Sequence, residues 1–250
     1  MKREVETYGQ NGVIAIEGNA QESILYLRDK PIQYSWLAEI GSTWRYHIAQ
    51  GLNKQSVTLN REIERILKTG IQNEGDFLGI TEYFINFLKY GKYEFGYFEL
   101  FEDLSWVEIP KDENYNSFDY YGGSFDISPT QNKIDNQLVE VYKENILKGS
   151  KPSMIIIHVE NSHMFYILDG HHKFKAYKQA NKKPHAILIT KIGNKDRSAK
   201  ESIDLAKSMS CTNKDYLKRI EDEKLNMDYY TNKKMNIDQV FRRISKDNSK

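Results

Sequence analysis

Residues 167–177 read ILDGHHKFKAY: an apolar run, an Asp-Gly step, two adjacent histidines, then lysines alternating with aromatics. The apolar run reads as the end of a strand, Asp169-Gly170 as a turn, and the stretch from His171 onward as a helix. Helix N-termini carry partial positive charge and four unpaired backbone N–H groups. His171, His172 and Lys173 therefore stand at the wrong pole, at a cost of about 0.3–1 kcal/mol for each charged group. The cost turns into a gain if an anion is held there, because helix starts bind phosphates readily.

The surrounding pattern is regular. Upstream, MIIIHV after Pro152 predicts a buried strand, ENSH a tight connection and MFYIL a second strand; downstream, PHAILITKI predicts a third. Before them, SPTQNKIDNQLVEVYKENILKG predicts a long helix. Ser128 with Gln131 forms a capping box, Pro129 takes the first helical position, and Gly149 ends the helix. Its apolar face would be Ile134, Leu138, Val141, Tyr142 and Ile146. WVEIP (106–110) predicts a short strand, followed by a polar loop with Gly122, Gly123, Asp119 and Asp126.

This order of elements, with DGHHK at the strand-to-helix turn, resembles the ParB/sulfiredoxin superfamily over residues 106–192. The resemblance implies an α+β nucleotide-binding domain that holds phosphates at the helix start. Gly170 matches the turn glycine, His172 the phosphate-contacting residue and Lys173 the following basic residue, with His171 beside them. The catalytic cysteine of sulfiredoxins would fall at His171, so sulfinic acid reduction is excluded. Lys173 stands where an arginine is commoner, a point charge in place of a bidentate fork. The implied ligands are a nucleoside di- or triphosphate and Mg²⁺, with phosphoryl transfer to a small-molecule acceptor or nucleotide hydrolysis as the reaction. Asp169 is then either the N-cap of the helix or a ligand for Mg²⁺ or the acceptor. Asp119 and Asp126 lie where kinase-like relatives place a catalytic acid, and a base there would take a proton from a hydroxyl.

The composition narrows the alternatives. A net charge of +1 in 250 residues provides no broad basic field for nucleic acid. A ParB-like DNA-binding or nuclease module is therefore the second reading, resting on a local patch of Arg242, Arg243 and Lys246. A degenerate domain serving as an interaction partner is the third. The single cysteine, Cys211, excludes internal disulfides and a cysteine-based zinc cage. Five of the six histidines lie between His158 and His185, but without a metal-binding spacing such as H-E-x-x-H. MKREVETYGQ lacks a signal-peptide core and no apolar stretch reaches the length of a membrane span, so the chain reads as soluble and cytoplasmic.

The first 105 residues mix both kinds of element. GVIAIEG (12–18) predicts a strand; ILYLRDKPIQYSWLAEI is open between strand and helix. SVTLNREIERILKTG predicts a helix with Thr58 as cap and Gly70 as stop, and FLGITEYFINFLKYG a second ending at Gly91. YEFGYFELFEDL reads as extended. Past residue 192 the chain is charged, predicting helices with a solvated surface. The expectation is α+β: an N-terminal α+β region (1–105), the ParB/sulfiredoxin-like domain (106–192) and a charged helical tail (193–250).

Overall fold

The computed structural model describes residues 1–9, 12–37, 44–50, 59–100, 104–109, 117–121, 125–131 and 133–231, with backbone alone at 44, 117–121 and 223–231. The strands are β1 (Lys2–Thr7), β2 (Ile14–Gly18), β3 (Glu22–Leu27), β4 (Lys30–Leu37), β5 (Trp44–Ala49), β6 (Gly91–Glu99), β7 (Leu104–Trp106), β8 (Ser117–Tyr121), β9 (Phe125–Pro129), β10 (Ser153–Val159), β11 (Met164–Asp169) and β12 (His185–Lys191). The helices are α1 (Arg61–Thr69), α2 (Glu74–Ile85), α3 (Asn136–Leu147), α4 (His171–Gln179), α5 (Ala199–Ser208) and α6 (Lys214–Thr231). The fold is α+β, with one seven-stranded sheet in the order β1-β6-β12-β10-β11-β9-β7 and one five-stranded antiparallel meander, β2-β3-β4-β5-β8.

The strands β10, β11 and β12 are continuous apolar runs because both of their faces are covered. Ile155, Ile157, Met164, Tyr166, Ile187 and Ile189 face a core shared with α1, α2 and the inner face of the meander. Met154, Ile156, Phe165, Ile167 and Ala186, alternating with them, face a second core with Phe174 of α4. Each such side chain contributes about 1.5–3 kcal/mol on burial. The pair β10–β11 is an antiparallel hairpin, whereas β10 and β12 are parallel, joined through α4.

Several expectations change. The stretch ILYLRDKPIQYSWL is two paired strands, β3 and β4, with Pro31 opposite Tyr26 at a register shift. The cap of α1 is Asn60, which accepts from the Ile63 N–H at 2.9 Å; Thr58 lies outside the described residues. The second helix ends at Ile85, since Gly91 opens β6. The capping box at Ser128 does not form. Ser128 and Pro129 belong to β9, paired in parallel with Tyr166 and Ile167. The helix begins instead at Asn136, where the Asp135 carboxylate accepts from the Gln137 and Leu138 N–H groups. The burial of residues 126–129 outweighs their local capping pattern. The face of α3 also turns: Val139, Tyr142 and Ile146 are buried, while Leu138 and Val141 are exposed.

The divisions near residues 105 and 192 do not separate independent cores. The strands β1 and β6 lie in the same sheet as β7 and β9 to β12, and β8 closes the meander. The tail is not merely a solvated surface. A full capping box at Ser198 and Glu201 starts α5. Ala206, Met209, Cys211, Tyr216 and Ile220 cover Ile24, Tyr34, Trp36, Tyr46 and Ile48 on the outer face of the meander. Residues 232–250, including Arg242, Arg243 and Lys246, lie outside the described part.

Candidate functional site

The turn between β11 and α4 is built on Gly170. Its backbone is left-handed, φ 106° and ψ 26°, and a Cβ there would meet Met154 Cγ at 2.7 Å. Only glycine meets both conditions without strain. Gly170 is itself the N-cap of α4, and no side chain caps the helix. Among the described residues, the amides of His171, His172 and Lys173 therefore have no side-chain acceptor. Asp169, expected as a cap, is the last residue of β11 and makes a different bond. Its Oδ2 accepts from Lys173 Nζ at 2.8 Å.

The two histidines answer the question raised by their position. Nε2 of His171 accepts the Thr130 N–H at 2.9 Å, and Nε2 of His172 accepts the Asp135 N–H at 3.0 Å. Thr130 and Asp135 are the two ends of the connection between β9 and α3. Neighbouring imidazoles thus pin both ends of one strap across the start of α4. Acceptance at Nε2 requires the unprotonated form of that nitrogen. Burial pushes the His171 pKa down to about 4, against the opposing pull of Asp169. Burial lowers His172 as well, opposed by Asp135 and Asp169. As neutral rings they do not oppose the helix dipole.

A cleft of about 440 Å³ opens over this turn. Its walls come from Glu64, Leu67 and Lys68 of α1, Leu138 and Tyr142 of α3, and Thr130 and Gln131 of the strap. The segment Asp169 to Lys173 forms the remaining side. Lys68 is half-exposed and pairs with Glu64 at 2.8 Å. Lys173, expected as a phosphate-binding cation, is buried to 4% exposure, and its ammonium donates to Asp169 and to the Ser153 carbonyl at 2.9 Å. Burial and the Asp169 charge push the Tyr142 pKa up to about 12, so its phenol stays protonated near neutral pH.

The loop carboxylates do not join this cluster. Asp126 is fully buried and paired with Arg45 at 3.1 Å, and it does not line the cleft. It holds β9 of the large sheet to β5 of the meander, which corrects the expected catalytic role. Asp119 lies on β8 opposite Tyr46, in the meander, and its side chain lies outside the described part. Gly122 and Gly123 are also outside it. Thr130, Gln131 and Lys68 carry no local signature of a site. Lys68 reaches it from a helix about a hundred residues away in sequence.

No group of three or more His, Cys, Asp or Glu residues able to hold a metal exists among the described residues. Mg²⁺ bound together with phosphates asks less, one or two carboxylates. Asp169 meets that requirement: it is about one-third exposed, Lys173 occupies Oδ2, and no described residue donates to Oδ1. No helix among the described residues is long and apolar enough to cross a membrane.

A scan against protein-family models, a search of curated proteins and a search of solved structures each return no match.

Proposed function

We propose that the cleft binds the phosphates of a nucleoside di- or triphosphate, for phosphoryl transfer to a small-molecule acceptor or for hydrolysis. The observation that carries this reading is the start of α4: three amides without a side-chain acceptor, facing a cleft on a glycine that admits no side chain. Such amides and the helix dipole favour a bound anion. Lys68, on the opposite wall, would contribute charge by exchanging its Glu64 partner for the phosphate. The resemblance of DGHHK to the phosphate-binding turn of the ParB/sulfiredoxin superfamily supports the same reading. His171 and His172 enter it as clamps that shape the site, and Lys173 as the partner that orients Asp169.

Mg²⁺, when bound, would neutralise phosphate charge beside Asp169. The chain's own part is to hold the phosphates on the α4 amides and to place the Asp169 carboxylate near the acceptor. A carboxylate so placed can take the proton of an acceptor hydroxyl.

The test is thermal and chemical denaturation with ATP, ADP or CTP, each with and without Mg²⁺. A ligand at about a hundred times its dissociation constant should stabilise the protein by roughly 2.7 kcal/mol. Lys68→Glu, on an exposed side chain, should weaken binding without unfolding. Asp169→Asn should keep nucleotide affinity and lower phosphate release by on the order of a hundredfold. Absence of stabilisation by every nucleotide refutes the proposal.

A further inference from the structure

A second cleft, of about 400 Å³, lies on the other side of the strap. Gln131 lines both clefts. The chemistry of the second differs from that of the first. Its apolar wall is Trp106, whose indole is stacked on buried Phe174 at 5.4 Å and 25°. Ile134 and Val139 extend that wall, and the side-chain amides of Gln131, Asn136 and Gln179 supply paired donors and acceptors. The ammonium of Lys175 lies 4.2 Å from the indole centroid and pairs with Glu108 at 2.9 Å. Phe174 covers one face of the indole and the Lys175 ammonium, held by exposed Glu108, lies over the other. A flat heterocycle would therefore stack on Trp106 in place of that ammonium and hydrogen-bond the amides at its edge. The start of α3 borders this cleft at Asn136, but its Gln137 and Leu138 amides are already taken by the Asp135 carboxylate, which leaves little for a phosphate there.

The two clefts share a helix as well as the strap. His172, Lys175 and Gln179 follow i, i+3, i+7 spacing and so lie on one stripe of α4. From His172 to Gln179 the helix rises about 10 Å, within the reach of an extended nucleotide. We infer that the second cleft is the base-binding half of one bipartite site, in which a nucleobase stacks on Trp106 while its phosphates sit at the start of α4. The inference rests on the phosphate reading proposed above and adds the part of the ligand that confers selectivity. Gln131, between the halves, positions the sugar-bearing middle of the ligand.

Calorimetric titration of the full chain with ADP, CDP and pyrophosphate tests this, because the three share a diphosphate and differ in the base. At least one nucleotide should bind about tenfold or more tightly than pyrophosphate, the gain expected from one stacked base. Trp106→Ala should remove that advantage and leave pyrophosphate affinity unchanged. Trp106 also packs on Phe174, so the exposed pair Asn136→Ala/Gln179→Ala provides a second variant that leaves the core intact. Loss of the advantage in either variant supports the inference. Nucleotides no tighter than pyrophosphate, or an advantage kept in both variants, overturn it while the phosphate site stands. Failure of all three ligands to bind removes both readings together.

Discussion

Acidification should unfold this protein through its buried histidines, and the size of the effect follows from where they sit. His47, His163 and His171 are all buried. Burial holds the first two near pKa 3, with Arg45 adding to the depression of His163, and holds His171 near 4, all below the ordinary 6.5. In the unfolded chain each ring takes up its proton near pH 6.5; in the folded chain it does not until pH 3–4. Between those limits the unfolded state binds more protons, so stability is full above about 6.5 and falls as pH falls. His158 is likewise held near 4 by burial. Each ring costs about 1.4 kcal/mol per pH unit, and the four together about 5–6 kcal/mol per unit. Two units of acidification would remove about 11 kcal/mol, comparable with a whole domain stability of roughly 5–15 kcal/mol. Urea unfolding from about pH 8 to about pH 5 reads this slope directly. His171→Gln retains an acceptor for the Thr130 amide but does not titrate, and should flatten the slope by about a quarter. A stability independent of pH over that range, or an unchanged slope in His171→Gln, would refute the reasoning.

Three further outcomes are expected. Gly170→Ala should cost about 1–2 kcal/mol for the left-handed backbone and about 1–3 kcal/mol more for crowding Met154; a loss below about 0.5 kcal/mol in urea unfolding would contradict the turn geometry. Asp126→Asn should destabilise by about 3–5 kcal/mol, the cost of breaking a buried ion pair, whereas wild-type stability with lost turnover would return Asp126 to a catalytic role. Cys211 is buried beneath the tail helices, so a thiol reagent should label it slowly in native protein and rapidly in denaturant; rapid native labelling would show that α5 and α6 do not rest on the meander.

Local patterns were readable where burial and periodicity agreed. Met154 to Val159 and Met164 to Ile167 are apolar at every position but one, His158, and no other element accommodates such runs. Gly149 and Gly70 likewise end their helices as their positions suggest, each with positive φ. Pattern reading failed where a distant partner decided the outcome. Ser128-Pro129-Thr130-Gln131 has the spelling of a helix start, yet the Gln33 side chain reaches across from the meander to donate to the Pro129 carbonyl at 2.6 Å. Nothing local to residues 206–220 shows that their scattered apolar side chains meet Trp36 and Tyr46. The site was legible in the same uneven way. The turn at Gly170 was visible, but the histidines looked like cations because their partners, the Thr130 and Asp135 amides, lie some forty residues upstream. Lys173 looked solvated because its acceptor at Ser153 belongs to another strand.

The position of β12 has a consequence for biosynthesis. It lies between β6 and β10, so the large sheet has a gap in its middle until residues 185–191 have been made. A ribosome adding roughly 5–20 residues per second takes roughly 4–17 s to pass from the end of β6 to the start of β12. Throughout that interval the antiparallel pair of β1 and β6 has an open edge, and the aromatic face of the meander still lacks α5 and α6. The nascent chain therefore exposes an unpaired strand and an uncovered patch at the same time, the two features through which partly made chains stick to one another. The strand order thus places the risk of association in the unfinished chain, before residues 185–191 close the sheet.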